Sequence, residues 1–256
     1  MRNAIATMAA CAVLSLGATG AAEAAGAPPA YVAAALADTS RPETDRSRDE
    51  SRKAAEVVAF TGLAPGGRAA DVFPGGGYYT RIFSKVVGSS GHVYAVVPSE
   101  AMEAEKPRDP LAPMTALAAE PAYANVSTLV QSMKRFDPPQ KLDLVFVSQF
   151  YHDMHNPAFG GPDIASVNKA VFTALKPGGI YLVIDHSAPG TGLAATNTLH
   201  RIDMEAVKAE VTAAGFVLDG SSDVLKNPDD PHTAMVFAPS IRGKTDQFML
   251  KFKKPR

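Results

Sequence analysis

The chain has 256 residues, a formal net charge of -1 and a hydrophobic fraction of 46%, enough to bury one ordinary core. Near-neutral charge gives no global field that favours nucleic acid or an anionic membrane. The only cysteine is Cys11, so disulfides, thiolate catalysis and cysteine-type zinc sites are excluded from everything after it.

The first residues differ from the rest. Arg2 precedes a small apolar run from Ala4 to Ala22, and Ala22-Glu23-Ala24 has the form of a cleavage site. The expectation is a secretory signal peptide over 1–25, cut near Ala24/Ala25, and a periplasmic or secreted location. A lipoprotein reading of Met8-Ala9-Ala10-Cys11 leaves too short an apolar core. No other run approaches the roughly 20 apolar residues of a membrane span, so stable membrane insertion is not expected. Residues 26–43, rich in Ala and Pro and then charged, read as a flexible arm before one domain over 44–256.

From Asp45 a helical period carries Ala54, Val57, Val58 and Phe60 up to Gly62. Ala69 to Phe73 reads as the first strand, Pro74-Gly75-Gly76-Gly77 as a tight turn, and Tyr79 to Val87 as a helix. A strand, a glycine turn and a helix start form a cradle for a nucleotide-like ligand. The missing side chains admit backbone contact, and the helix start offers unpaired N–H groups. His92 to Val97 is nearly all apolar, as in a parallel strand covered on both faces, and Pro98 ends it. Glu100 to Tyr123 is helical but interrupted by proline, with part of it expected as a lid. Val126 to Val130 and Lys141 to Ser148 are further strands, the second running into a polar loop from Gln149 to Pro157. A helix over 163–175 precedes a fifth strand, Ile180 to Ile184, that ends at Asp185-His186. A helix from about Arg201 to Ala214, a short strand from Phe216 and a final strand, Gln247 to Phe252, complete the chain. This alternation predicts a doubly wound α/β sheet, whose ligands sit beyond the carboxyl ends of the strands. The glycine turn, Val97-Pro98, the loop after Ser148 and Asp185-His186 should therefore meet in one crevice.

Gly75-x-Gly77-x-x-Thr80 lacks the third glycine of the dinucleotide fingerprint. Asp71 ahead of that turn, Leu142-Asp143-Leu144-Val145 and Leu175-Lys176-Pro177-Gly178-Gly179 together resemble the class I S-adenosylmethionine-dependent methyltransferases. With Tyr151-His152-Asp153, Asp185-His186 and Ile241-Arg242-Gly243-Lys244-Thr245-Asp246 added, the chain from Arg48 onward is similar to a group of predicted bacterial methyltransferases that often carry export signals. The resemblance implies a doubly wound, Rossmann-like, mostly parallel seven-stranded sheet with helices on both faces and the last strand antiparallel. It implies S-adenosylmethionine as cofactor, a small-molecule acceptor and no nucleic-acid partner. By the same likeness Gly75, Gly76 and Gly77 meet the cofactor through backbone, and Asp71 orients the turn or meets the amino group. Phe73, Thr80, Val97, Pro98, Glu100 and Gln149 complete the expected cofactor contacts. The family's ribose-binding acid is replaced by Val97-Pro98, with Glu100 slightly later. That departure, and an export destination where the cofactor is not made, support an alternative: a non-catalytic exported ligand-binding protein on the same fold.

Methyl transfer from a sulfonium needs mainly positioning, and a base only when the acceptor must lose a proton. The catalytic candidates are Tyr151, His152, Asp153 and His186, with His200 beside them. Plainer roles stand against these: His152 and Asp153 pairing to cap the loop, or His200-Arg201 pairing with Asp203 or Glu205. His152, Asp153, His155 and His186 follow no defined ligand spacing, and no metal is assigned. Arg242-Gly243-Lys244-Thr245 reads as a turn into the last strand.

Overall fold

Strands buried at successive rather than alternate positions form the centre of the sheet. β1 (Arg68–Val72), β2 (His92–Pro98) and β4 (Leu142–Ser148) have this pattern, which requires helices on both faces. The computed structural model describes residues 27–159, 161 and 163–256; the expected signal peptide and Cys11 lie outside the described residues. β1, β2 and β4 pair in parallel with one another and with β3 (Val126–Gln131) and β5 (Leu175–His186). β7 (Gln247–Lys253) runs antiparallel between β5 and β6 (Val217–Ser222). The seven-stranded order is β3-β2-β1-β4-β5-β7-β6, so the sheet is Rossmann-like and mostly parallel, as the family resemblance implied. The strand order reverses between β1 and β4, and a crevice opens at the carboxyl ends of strands at such a switch point.

One face carries α1 (Ala30–Ala37), α3 (Ala54–Thr61) and α4 (Tyr78–Val87), whose Val32, Val57, Ile82 and Phe83 pack on Leu144 and Phe146. The other carries α7 (Ile164–Ala174) and α9 (Met204–Ala213), whose Val171, Val207 and Val211 pack on Val145 and Val147. No helix among the described residues is long and apolar enough to cross a membrane.

Four expectations change. The described part of the presumed arm belongs to the body: Val32 and Ala35, one helical turn apart, are buried against the core. Arg41 behind them is fully buried and gives both terminal nitrogens to Asp49, at 2.8 and 2.6 Å. A guanidinium taken out of water needs such a partner, and that pairing fixes the segment. The helix expected from Asp45 is broken into α2 (Glu43–Arg46) and α3, with Lys53 left-handed at φ 50° between them. The charged residues there turn inward instead, Asp45 to Arg48 and Arg81, and Asp49 to Arg41 and Tyr78. β5 starts at Leu175, ahead of the expected Ile180, because Leu175 already pairs with Leu142 before a register shift. α9 starts at Met204 rather than Arg201, since Asp203 caps it and Arg201 is drawn away into a buried pair with Asp230. The proline-interrupted region resolves into α5 (Ser99–Ala104) and α6 (Ala112–Ala118).

Candidate functional site

Two adjacent strands end in non-glycine residues held left-handed: Phe73 after β1 at φ 54° and Gln149 after β4 at φ 58°. Each conformation costs about 1–3 kcal/mol and persists only where the surroundings impose it, commonly at functional clefts. The chain then turns sharply at Gly75 (φ 57°) and Gly77 (φ 81°) into α4. At Gly77 a Cβ would also meet Leu117 and Met114 of α6 at 2.7 Å, so the fold itself demands glycine. Gly76 is different. Its backbone needs no glycine and nothing lies within 4 Å of where a Cβ would stand, which leaves an open approach to the backbone of the turn.

Asp71, buried on β1, holds this turn from below. Its carboxylate accepts the Thr80 hydroxyl at 2.6 Å, fixing the first turn of α4. Burial pushes the Asp71 carboxyl up to about 7, and the hydrogen bonds from Thr80 offset only part of that rise.

A separate small cleft lies past the ends of β2 and β4. Pro98, Glu100, Met133, Phe150 and Phe159 line it, so Glu100 reaches the wall that Val97 and Pro98 leave without a charge. Its carboxylate accepts hydrogen bonds from Ser99 and Ser132. The Phe73 ring stands 4.4 Å from Phe150 and 6.1 Å from Phe159, an aromatic floor beside that acid.

A polar cluster closes the other end, beyond β4 and β5. The chain after Gln149 turns into a tight 3-10 segment, His152–His155, which carries His152 over Asp185. Asp185 is fully buried and accepts the His152 N–H at 2.8 Å, the His152 ring Nδ1–H at 2.7 Å and the His186 N–H at 2.7 Å. Burial would raise this carboxyl, but His152 and these bonds outweigh it and hold it below the usual carboxylate range. Burial opposes charge on His152 as well, and Asp185 overrides it and raises the imidazole. For His186 burial outweighs the pull of Asp185 and drops it to about 4, so it is neutral near pH 7, with Nδ1 at 2.7 Å from the Thr245 hydroxyl. Gln247 links Thr245 to Gln149, at 3.3 and 3.1 Å, and thereby ties the ends of β4, β5 and β7 together. His200 arrives from the turn after α8 (Thr196–Leu199), itself left-handed at φ 54°. Its Nδ1 lies 3.3 Å from His152 Nε2 and 3.2 Å from Asp153 Oδ1.

No protein-family model matches the chain, and no curated protein does. Solved structures do. A SAM-dependent methyltransferase from Aquifex aeolicus aligns at TM-score 0.55 and 19% identity, over 81% of this chain and 92% of that one. The N-methyltransferase NodS from Bradyrhizobium japonicum WM9 aligns at TM-score 0.53 and 11% identity, over 82% and 97%. The cyclase SpnF aligns at TM-score 0.53 and 18% identity, over 82% and 80%. The chain has the S-adenosylmethionine-dependent methyltransferase fold. At these identities the likeness concerns the fold, and SpnF is similar to the same degree under a different activity.

Within this fold the expected site residues divide. Asp71, Phe73, the three glycines, Thr80, Pro98, Glu100 and Gln149 gather at the carboxyl ends of β1, β2 and β4. Val97 does not reach the crevice surface; it is fully buried in the helix-covered face of β2. Tyr151 is fully buried too, and its hydroxyl is taken by Glu210 and Asn168 at 3.0 and 2.9 Å. It turns to α9 and α7 because the 3-10 segment presents successive side chains in different directions. His155 likewise faces Glu210, at 3.2 Å. His152 and His186 meet at Asp185, and Asp153 faces His152 and His200 instead. Asp185 hydrogen-bonds backbone at the end of β5, and it also orients His152. His200, one of the polar candidates, reaches His152 across 48 residues, and no local pattern announces that approach.

Proposed function

We propose that the protein binds S-adenosylmethionine across the ends of β1, β2 and β4 and transfers its methyl group to a small-molecule acceptor. The observation that carries this reading is Gly76: the fold does not need glycine there, yet the space beside it is open. A ligand passing close to the backbone supplies the need. In this reading Glu100 takes the ribose, the aromatic floor of Phe73 and Phe150 takes the base, and the polar cluster around His152 faces the acceptor. Asp71 acts through Thr80 by holding the turn in place. Positioning supplies most of the rate, because the sulfonium is already activated.

The test is calorimetry of the purified protein with S-adenosylmethionine and its demethylated product, with Gly76→Val as comparison. Saturable binding that Gly76→Val abolishes without unfolding supports the reading; no binding at millimolar cofactor ends it. Binding without methyl transfer from labelled cofactor to any fraction of a small-molecule extract points to the non-catalytic alternative. We also propose that residues 1–25 are an export signal, on the strength of Arg2, the apolar run and Ala22-Glu23-Ala24. Intact mass of protein from the periplasmic fraction should then begin near Ala25; a mass that includes Met1 overturns it.

A further inference from the structure

We propose that His152 Nε2, His200 Nδ1 and Asp153 Oδ1 form a binding site for one divalent first-row transition cation of the zinc type. The three atoms stand 3.3, 3.4 and 3.2 Å apart. Nitrogen and oxygen ligands about 2.0–2.1 Å from one ion in a tetrahedral arrangement lie roughly 3.3–3.4 Å from one another. The cluster therefore already has the spacing of one tetrahedral face.

The hydrogen bond between His152 Nε2 and His200 Nδ1 does not account for Asp153 in this cluster. Asp185 offers only acceptors, so His152 Nδ1 carries its proton there, and Nε2 is the ring nitrogen that faces His200 and Asp153. Asp153 Oδ1 is buried, and no donor among the described residues meets it with hydrogen-bond geometry. A buried carboxylate oxygen without a hydrogen bond is costly unless something positive lies beside it. The backbone adds to the cost, since His200 is held left-handed. A bound dication offsets both.

The surroundings fit an ion as well. Asp185 behind His152 makes the carboxylate–histidine pair that orients metal-bound imidazoles. Phe237 lies against the His200 ring at 5.0 Å and limits its rotation. Two imidazoles and one carboxylate favour zinc or iron over magnesium or calcium, which prefer oxygen. Exposure grades from 3% at His152 to 14% at Asp153 and 24% at His200, so the accessible side of the ion is the one an exogenous oxygen or nitrogen group can reach. Such a group would lose its proton more readily on the ion. That last role rests on the methyl-transfer reading; the ion site does not.

The test uses untagged, chelator-dialysed protein titrated with zinc chloride by calorimetry, and with cobalt(II) by visible absorption. Expected are one ion per chain, tetrahedral-type cobalt bands, and displacement of cobalt by zinc but not by magnesium. His200→Ala and Asp153→Ala should each weaken zinc binding by at least about 100-fold. Asp185→Asn, a positioning change, should weaken it about 10–100-fold. His232→Ala, a partly exposed histidine paired with Asp246, should leave it unchanged. Circular dichroism of the ion-free variants separates lost ligands from lost folding. The proposal is overturned by no saturable zinc binding, or by folded His200→Ala and Asp153→Ala that bind as wild type does. S-adenosylmethionine titrated into the same samples reports the cofactor reading separately, so either can fail alone.

Discussion

Replacing Asp71 by Asn should make the protein progressively more stable than wild type as pH rises from about 4 to 7. The native carboxyl is shifted from 3.8 to about 7, chiefly by burial. Between those values the unfolded chain releases the proton and the native state keeps it, so the native state binds more protons and stability falls with rising pH. The contribution is complete below the unfolded value and gone above the native one. About three pKa units at 1.36 kcal/mol each set an upper bound of about 4 kcal/mol. Asn keeps an oxygen to accept the Thr80 hydroxyl, so the start of α4 stays fixed while the titration disappears. His186 titrates in the opposite sense, losing stability as pH falls from 6.5 through about 4, but both proteins share it and it cancels in their difference. Urea unfolding of the two at pH 4.5, 6 and 7.5 measures that difference directly. A constant gap across this range would refute the reasoning, since it would mean that Asp71 is already ionised in the native state.

Gly76→Val should change the unfolding free energy by less than about 1 kcal/mol, because no neighbour obstructs it. Gly77→Ala should cost about 2–4 kcal/mol, from the left-handed backbone and the contact with Leu117 and Met114; equal values in urea titrations would dismiss the distinction. Arg201→Ala leaves the Asp230 carboxylate buried without its partner, and a loss of about 3–5 kcal/mol is expected; a loss under 1 kcal/mol would show that water reaches Asp230. Val32→Asp should lower stability by at least about 3 kcal/mol if α1 is part of the core, as a shift in thermal midpoint would reveal.

The repeating units of this fold are local in sequence, and were legible there. Val93 to Val97 and Leu144 to Val147 read as covered parallel strands because both faces of each are apolar, and Gly88 or Gly215 stops a helix wherever it stands. The cradle was legible for the same reason: strand, glycine turn and helix start are contiguous. What stayed hidden depends on partners far along the chain. Arg41 reads as part of a charged, flexible arm because its partner Asp49 lies in the break between α2 and α3, which periodicity does not show. Tyr151 looked catalytic because it adjoins His152, and only the 3-10 turn sends neighbouring side chains to opposite places.

The sequence by itself determined the sheet and the position of the glycine turn, because periodicity and turn chemistry act over a few residues. Tertiary structure alone decided which polar groups meet. It brought Glu100 to the wall beside Pro98, and set Asp185, His152, Asp153 and His200 within hydrogen-bonding or ligating distance, since that depends on where separate strands end. The physical reason is that a buried carboxylate or imidazole takes its pKa and its role from neighbours in space, and the chain order does not contain them.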